Sequence, residues 1–235
     1  MLQVNGMRYA VRNIMGFRTK FEICNVDFEL EKGYMMCLLG KNGSGKSTLL
    51  RLIYGLFQAD EGDVIWNGMS IKQQRHKILQ KVAYTGDENI FFEWRSIREN
   101  AEASGQMYES FNMKSFIDYL EKFELDSDVM EKSMIELSVG QKQQIQIAFA
   151  LARKPKLLLL DEPFANLDVV FRVEFIDILQ HLIADEEISV IFSTHILDEV
   201  EDIVDYIGVM KQGEMVMFGD REAVLNNSKT LRDLI

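Results

Sequence analysis

Apolar and polar positions along this chain follow two periods, and the switches between them mark out its elements. The first stretch carries two β-rich runs, LQVNGMRYAV and FEICNVDFEL. In the second, Phe21, Ile23 and Asn25 fall on one side, and Val26, Phe28 and Leu30 follow after a shift, the period-2 pattern of a strand. YMMCLLG then predicts a buried strand, followed by a Gly-rich loop and a helix from about Ser47 to Phe57. A turn (ADEGD) and a short strand (VIWNG) come next. Roughly Ile97 to Lys132 is helical by period, with FIDYLEKFEL placing apolar residues three and four apart. Another helix is expected from about Ser138 to Arg153. Beyond it KPK leads into LLLL, too short for a core helix and bounded by charge, so a central strand. A helix (VVFRVEFIDILQHLI), a strand (SVIFST), a helix (LDEVEDIV) and a β pair (YIGVM, GEMVMFG) complete the pattern.

Strands alternating with helices give an α/β fold whose core sheet is parallel. The opening runs add an antiparallel β portion, and the middle adds a helical insert. No repeat, linker or low-complexity tract interrupts the chain, and Pro155 and Pro163 are its only prolines. The expectation is one domain over 1–235, with a core of 1–86 and 155–235 and an insert of about 87–154.

Composition changes this picture in three ways. At 235 residues, with 47% hydrophobic and 27% charged positions, one well-buried soluble core is affordable. A net charge of −11 argues against a general nucleic-acid binder, because phosphate backbones require Lys/Arg surfaces. The two cysteines, Cys24 and Cys37, each lie in a strand-like stretch, which fits a reducing compartment without a disulfide framework. The N-terminal run MLQVNGMRYAV lacks the pattern of a signal peptide, and nowhere do about 18 apolar residues run together. Any membrane role is therefore expected to come through a partner.

The first motif with chemistry is Gly40-Lys41-Asn42-Gly43-Ser44-Gly45-Lys46-Ser47, which fits G-x-x-x-x-G-K-[ST]. It lies after an apolar strand and before a helix, as the mechanism requires. Glycines let backbone N–H groups converge on an anion without Cβ clashes, and the helix N-terminus adds its positive dipole end. Gly40 through Thr48 are the expected nucleotide contacts. Lys46 is expected to reach the β- and γ-phosphates, and Ser47 to hold Mg²⁺. A Gly-rich turn is the bland reading, and the flanking strand and helix argue against it.

The second motif is Leu157-Leu158-Leu159-Leu160-Asp161-Glu162, a buried strand ending in two carboxylates. Asp161 would emerge at the carboxyl edge of the sheet, where ligands sit in open α/β folds, and suits Mg²⁺ coordination. Glu162 is the candidate base that orients or deprotonates an attacking water. Alone, an acidic strand end facing solvent would be the better reading; the phosphate loop reverses that preference.

Together these motifs resemble those of the ATP-binding-cassette (ABC) ATPase family, over nearly the whole chain. Leu137-Ser138-Val139-Gly140-Gln141, followed by KQQIQIAFALARKPKLLLLDEP, looks like the family signature L-S-G-G-Q, placed just before the acidic strand. On physical grounds alone, Ser138 would cap a helix whose N-terminus suits phosphate. Ala165-Asn166-Leu167-Asp168 resembles the loop that runs along the family's dimer junction, although Asp168 equally suits an N-cap. His195 matches the family's switch histidine, a donor toward the γ-phosphate. The resemblance implies ATP and Mg²⁺ as ligands and a head-to-tail dimer. Each ATP would lie between one phosphate loop and the partner's Ser138, Val139, Gly140 and Gln141. It further implies a second ATPase subunit, a homodimer by preference, and a separate transmembrane permease. The chain would be cytoplasmic, peripheral on the inner face of the membrane. The run STHILDEVEDIVDYIGVMKQGEMVMFG looks most like subunits of bacterial antibiotic-resistance or lipid-like exporters.

Several positions depart from that family pattern. Val139 replaces the first signature glycine, Asp87 stands where Gln is usual as a metal ligand, and Gln144 stands where Arg is common. The adenine platform is assigned to Phe17, with Tyr9 as the alternative, both of which also suit sheet packing. Phe91, Phe92, Glu93 and Trp94 are the expected contact for a permease, against a reading in which they pack internally. Two other functions stay open: a nucleotide-gated dimerising module with weak hydrolysis, favoured by Asp87, and a soluble ABC ATPase without a permease.

Overall fold

The computed structural model describes residues 1–12, 18–86, 90–195 and 202–226. Ten strands form one sheet in the order β5-β4-β1-β2-β10-β9-β3-β8-β7-β6. The strands are β1 (Leu2–Arg12), β2 (Arg18–Leu30), β3 (Met35–Leu39), β4 (Glu61–Trp66), β5 (Met69–Ser70), β6 (Val82–Thr85), β7 (Leu157–Leu160), β8 (Ser189–Thr194), β9 (Tyr206–Lys211) and β10 (Glu214–Asp220). Strands β9, β3, β8, β7 and β6 run parallel. β1, β2, β4 and β5 pair antiparallel, joined to the rest by one parallel bridge between Glu214 and Cys24.

The parallel strands are buried on both faces, which is why they read as apolar runs. Met35, Cys37 and Leu39 of β3 join Leu158, Leu160, Val190 and Phe192 in one core layer. Met36 and Leu38 join Leu157, Leu159 and Ile191 in the other. The first layer is covered by α5 (Val139–Ala152) and α6 (Val169–Glu186), with α3 (Ile97–Gly105) and α4 (Met113–Lys122) behind them. The second is covered by α1 (Lys46–Tyr54), α2 (Ile71–Leu79) and the antiparallel strands. The last helix, α7 (Arg221–Asn226), follows β10.

The alternation shift in β2 has a local cause. Met7 pairs Val26 and Tyr9 pairs Ile23, so β2 carries one extra residue there. Asn25 sits between them at φ 47, a left-handed bulge residue that returns Val26, Phe28 and Leu30 to the core.

Three expected elements need correction. The helix expected to Phe57 ends at Tyr54, where Gly55 takes up the C-cap. The stretch from Ile97 to Lys132 is not one helix: α3 is started by a capping box of Ser96 and Glu99, and α4 by Asn112. Those two caps, and a 3-10 turn at Val129–Glu131, break what the apolar period alone runs together. The helix expected at LDEVEDIV falls mostly outside the described residues, and residues 202–204 lie outside helix. Sequence patterning also misses α2, which buries only Ile71 and Ile78 and is kinked at Gln74. No helix among the described residues is long and apolar enough to cross a membrane.

Candidate functional site

The loop from Gly40 to Gly45 joins β3 to α1. At Gly40 a side chain has no room, because a Cβ would lie 2.4 Å from the Met210 carbonyl oxygen and 2.5 Å from Ser44 Oγ. Gly45 precedes the helix at φ 112, and no side chain caps it. The first N–H groups of α1 are therefore left for a ligand, where the helix dipole favours an anion. Ser44 Oγ is buried and has no hydrogen-bond partner among the described residues, a further donor that suits phosphate. These features fit a nucleotide's phosphates.

Lys46 is 5% exposed and its ammonium donates to the Gly40 carbonyl at 2.7 Å. It also meets Glu162 Oε1 at 3.2 Å. The other oxygen of Glu162 lies 2.9 Å from His195 Nδ1. Lys46 is thus held by a carboxylate that lines the same cavity. Behind the loop, burial pushes the Cys37 thiol well above its ordinary value, with the Glu162 charge acting in the same direction and Lys46 against it.

Asp161 emerges at the end of β7, as expected. Its Oδ1 accepts from Ser47 Oγ at 2.9 Å and from Ser193 Oγ at 2.6 Å. Ser47 and Asp161 together offer hard oxygen donors of the kind Mg²⁺ takes. No group of three or more His, Cys, Asp or Glu is arranged for a metal among the described residues.

The cavity above this cluster measures about 690 Å³. The loop and α1 contribute Asn42, Gly43, Gly45, Lys46, Ser47 and Thr48, and the strand ends contribute Glu162, Ala165 and His195. Val11 and Phe21, from the antiparallel strands, close it. Phe21 is a lining residue that counting along the sequence does not select, because its place in the β2 alternation reads only as packing. Phe17 and Asp87 lie outside the described residues. Tyr9, the alternative platform, is corrected: its ring stacks on Phe57 at 5.4 Å and 11°, and it does not line the cavity.

The signature segment lies outside this cavity, and its Val139 lines a second one of about 150 Å³ beside Asp161 and Glu162. Ser138 is exposed and caps α5, accepting from the Gln141 N–H at 3.2 Å while Gln141 Oε1 accepts from the Ser138 N–H at 3.1 Å. Val139 is 63% exposed. Gly140 backs onto the Asn166 carbonyl, which a Cβ would meet at 2.8 Å. None of Ser138, Val139, Gly140 and Gln141 lines the phosphate cavity of their own chain. Asp168 caps α6, accepting from the Phe171 N–H at 2.9 Å. Of the aromatic stretch, Phe91 is buried against Phe149, whereas Phe92 and Trp94 are 62% and 78% exposed. The internal-packing alternative therefore holds for Phe91 alone of these three rings.

Comparisons with known proteins bear on the family and the fold. The family model described as ABC transporter matches residues 23–165. The chain is 29% identical over 81% of its length to the ABC transporter ATP-binding protein YtrB of Bacillus subtilis, spanning 64% of that protein. It is 34% identical over 87% of its length to the sulfate/thiosulfate import ATP-binding protein CysA of Bacillus cereus, spanning 59% of it. To the linearmycin resistance ATP-binding protein LnrL of Bacillus subtilis it is 31% identical, covering 94% of this chain and 70% of that one. The chain thus spans less than two thirds of YtrB and CysA. Among solved structures, the dimeric ATP-binding cassette MJ0796 bound to ADP and Pi superposes with a TM-score of 0.83 at 23% identity, covering 94% of this chain and 99% of the other. That likeness is one of fold.

Proposed function

This chain belongs to the ABC transporter family of ATP-binding ATPase subunits, and from that premise we propose that it hydrolyses ATP inside a head-to-tail dimer to drive a membrane permease. One observation carries the reading. Lys46, Ser47, Glu162 and His195 line one cavity, with Asp161 bonded to Ser47 behind it, while the signature residues of the same chain do not line it. A second subunit, which we take to be another copy of this chain, supplies Ser138, Val139, Gly140 and Gln141 across the triphosphate. Asp168 lies at the junction.

Within each site Lys46 neutralises the β- and γ-phosphates and Ser47 and Asp161 hold Mg²⁺. The metal, when bound, offsets charge on the phosphate oxygens. Glu162 takes a proton from the attacking water, and His195 donates toward the γ-phosphate. Asp87 is proposed as a further metal ligand and Phe17 as the adenine platform. ATP favours the closed pair because it contacts both faces, and loss of the γ-phosphate loosens it.

The core comprises 1–86 and 155–235 and the insert 87–154. Phe92 and Trp94, exposed on that insert near Glu93, are the surface we assign to the permease, with Ile135 at 54% exposure beside them. The chain thereby works at the cytoplasmic face of a membrane. Export is the direction we favour, on the STHILDEVEDIVDYIGVMKQGEMVMFG run and the likeness to LnrL, although CysA carries an import name. The test is sedimentation and turnover of the purified protein with ATP and Mg²⁺. Glu162→Gln is expected to form a nucleotide-trapped dimer with little turnover. A monomer at saturating ATP, with Ser138→Ala active at the native rate, would overturn the dimer.

A further inference from the structure

Ser193 is fully buried, yet it is a polar residue in a strand of Val190, Ile191 and Phe192. Both faces of its hydroxyl are used. Its Oγ donates to Asp161 Oδ1 at 2.6 Å and accepts from the Glu162 N–H at 2.8 Å. One hydroxyl therefore ties the two carboxylate residues to the neighbouring strand β8.

The tie matters because of the backbone at Glu162. This residue sits at φ 47, in the left-handed region that residues with a Cβ avoid. Such a conformation persists only when the surroundings determine it. Here the Ser193 hydroxyl holds the Glu162 N–H, and on the other side Gln143 Nε2 donates to the Pro163 carbonyl at 2.6 Å. The left-handed turn is what brings the Glu162 carboxylate to within 3.2 Å of Lys46 and 2.9 Å of His195. The same hydroxyl shares Asp161 Oδ1 with Ser47.

We propose that Ser193 is a positioning residue for hydrolysis: through one buried hydroxyl it sets the aim of Glu162 and the orientation of the Asp161 carboxylate toward Ser47. The inference rests on the role given to Glu162 above. Ser193 is fully buried and does not line the cavity, so it acts through Asp161 and Glu162.

The test compares Ser193→Ala with the native protein in two measurements. In steady-state turnover, the variant is expected to lose about 10- to 100-fold in kcat, with KM for ATP within about threefold and the Mg²⁺ concentration for half-maximal rate raised severalfold. In the nucleotide-free protein, hydrogen exchange at the Glu162 amide is expected to accelerate at least about tenfold, because its acceptor is gone. A kcat within twofold of native overturns the proposal. So does a loss of kcat with no shift in Mg²⁺ dependence and no change in that amide, since the hydroxyl would then be holding neither Asp161 nor Glu162. Should the alanine variant not fold, Ser193→Cys keeps the side-chain size with a weaker donor and is read by the same outcomes. If Glu162→Gln turns over normally, the underlying reading fails; if it is inactive while Ser193→Ala is native-like, only the Ser193 inference fails.

Discussion

Glu162→Gln separates two effects that the contact of Glu162 with Lys46 binds together. Glu162 faces Lys46 at 3.2 Å, with their side chains 22% and 5% exposed. At an effective dielectric of about 20, charges at that separation attract by about 5 kcal/mol before desolvation is subtracted. The cost of burying both ions offsets most of it, leaving a net contribution of about 1–2 kcal/mol. An incoming γ-phosphate must break this pairing and then share the cavity with a carboxylate. The glutamine keeps an oxygen within reach of Lys46 but removes the charge. ATP affinity is therefore expected to rise about 5- to 30-fold, by the conversion of 1.36 kcal/mol per decade. Turnover is expected to fall about 10²- to 10⁴-fold with loss of the base. Equilibrium binding of a fluorescent ATP analogue, with the metal chelated so that nothing hydrolyses, reads the first effect. The gain should be larger for ATP than for ADP, which brings only the β-phosphate into competition with Glu162 for Lys46. A variant that binds ATP no tighter than the native chain refutes the pairing argument, and one that hydrolyses at the native rate refutes Glu162 as base.

Gly40→Ala forces a Cβ to within 2.4 Å of the Met210 carbonyl, so we expect a cost of about 1–3 kcal/mol and no rise in melting temperature on adding ADP, read by calorimetry. Ser138→Ala removes the α5 cap and should cost about 1 kcal/mol, or roughly 2–4 °C, with loss of the ATP-dependent dimer and retention of ADP binding to the monomer. The pair Phe92→Ala and Trp94→Ala should leave turnover of the isolated subunit within about twofold, as for surface substitutions, while abolishing co-purification with the permease. Cys37 should resist iodoacetamide up to about pH 9 in the folded chain and react after unfolding, because burial raises its thiol. The sign follows: the unfolded thiol loses its proton first, so the unfolded state binds fewer protons, and Cys37 makes stability fall as pH rises past about 9.

The parallel core was legible because its strands are short, apolar and bounded by charge or glycine, as LLLL and YMMCLLG show. The placing of the Gly40–Lys46 loop, Asp161, Glu162 and His195 beside one another was legible because each follows a strand end, and the sheet brings strand ends together. Ser193 was not, although a serine in the middle of an apolar strand is a signal in itself. Its hydroxyl meets Asp161 and Glu162 only through the register of β7 beside β8, with Leu160 opposite Phe192. Phe21 was missed for a related reason, since period 2 tells which face a residue takes and not what lies beyond that face. The insert misled because helical period persists across caps: Ser96, Asn112 and Ser133 restart the chain without disturbing the apolar spacing.

The two middle signature positions do different jobs, and that difference ties the surface of α5 to the catalytic strand end. Val139 projects into solvent, so a side chain there meets no steric limit within its own chain. Gly140 has no such freedom, because the Asn166 carbonyl occupies the space a Cβ would need. Three residues further along α5, Gln143 holds the Pro163 carbonyl at 2.6 Å. The first two turns of α5 are thereby fastened to residues 163 and 166, and Asp168 then fixes the start of α6. Glu162 precedes this fastened run directly. A shift of its left-handed turn is expected to carry Pro163 and its partner Gln143 with it. The strand end proposed to activate water and the surface proposed to meet a second subunit are therefore fastened together, and a glycine at 140 is what lets α5 approach Asn166.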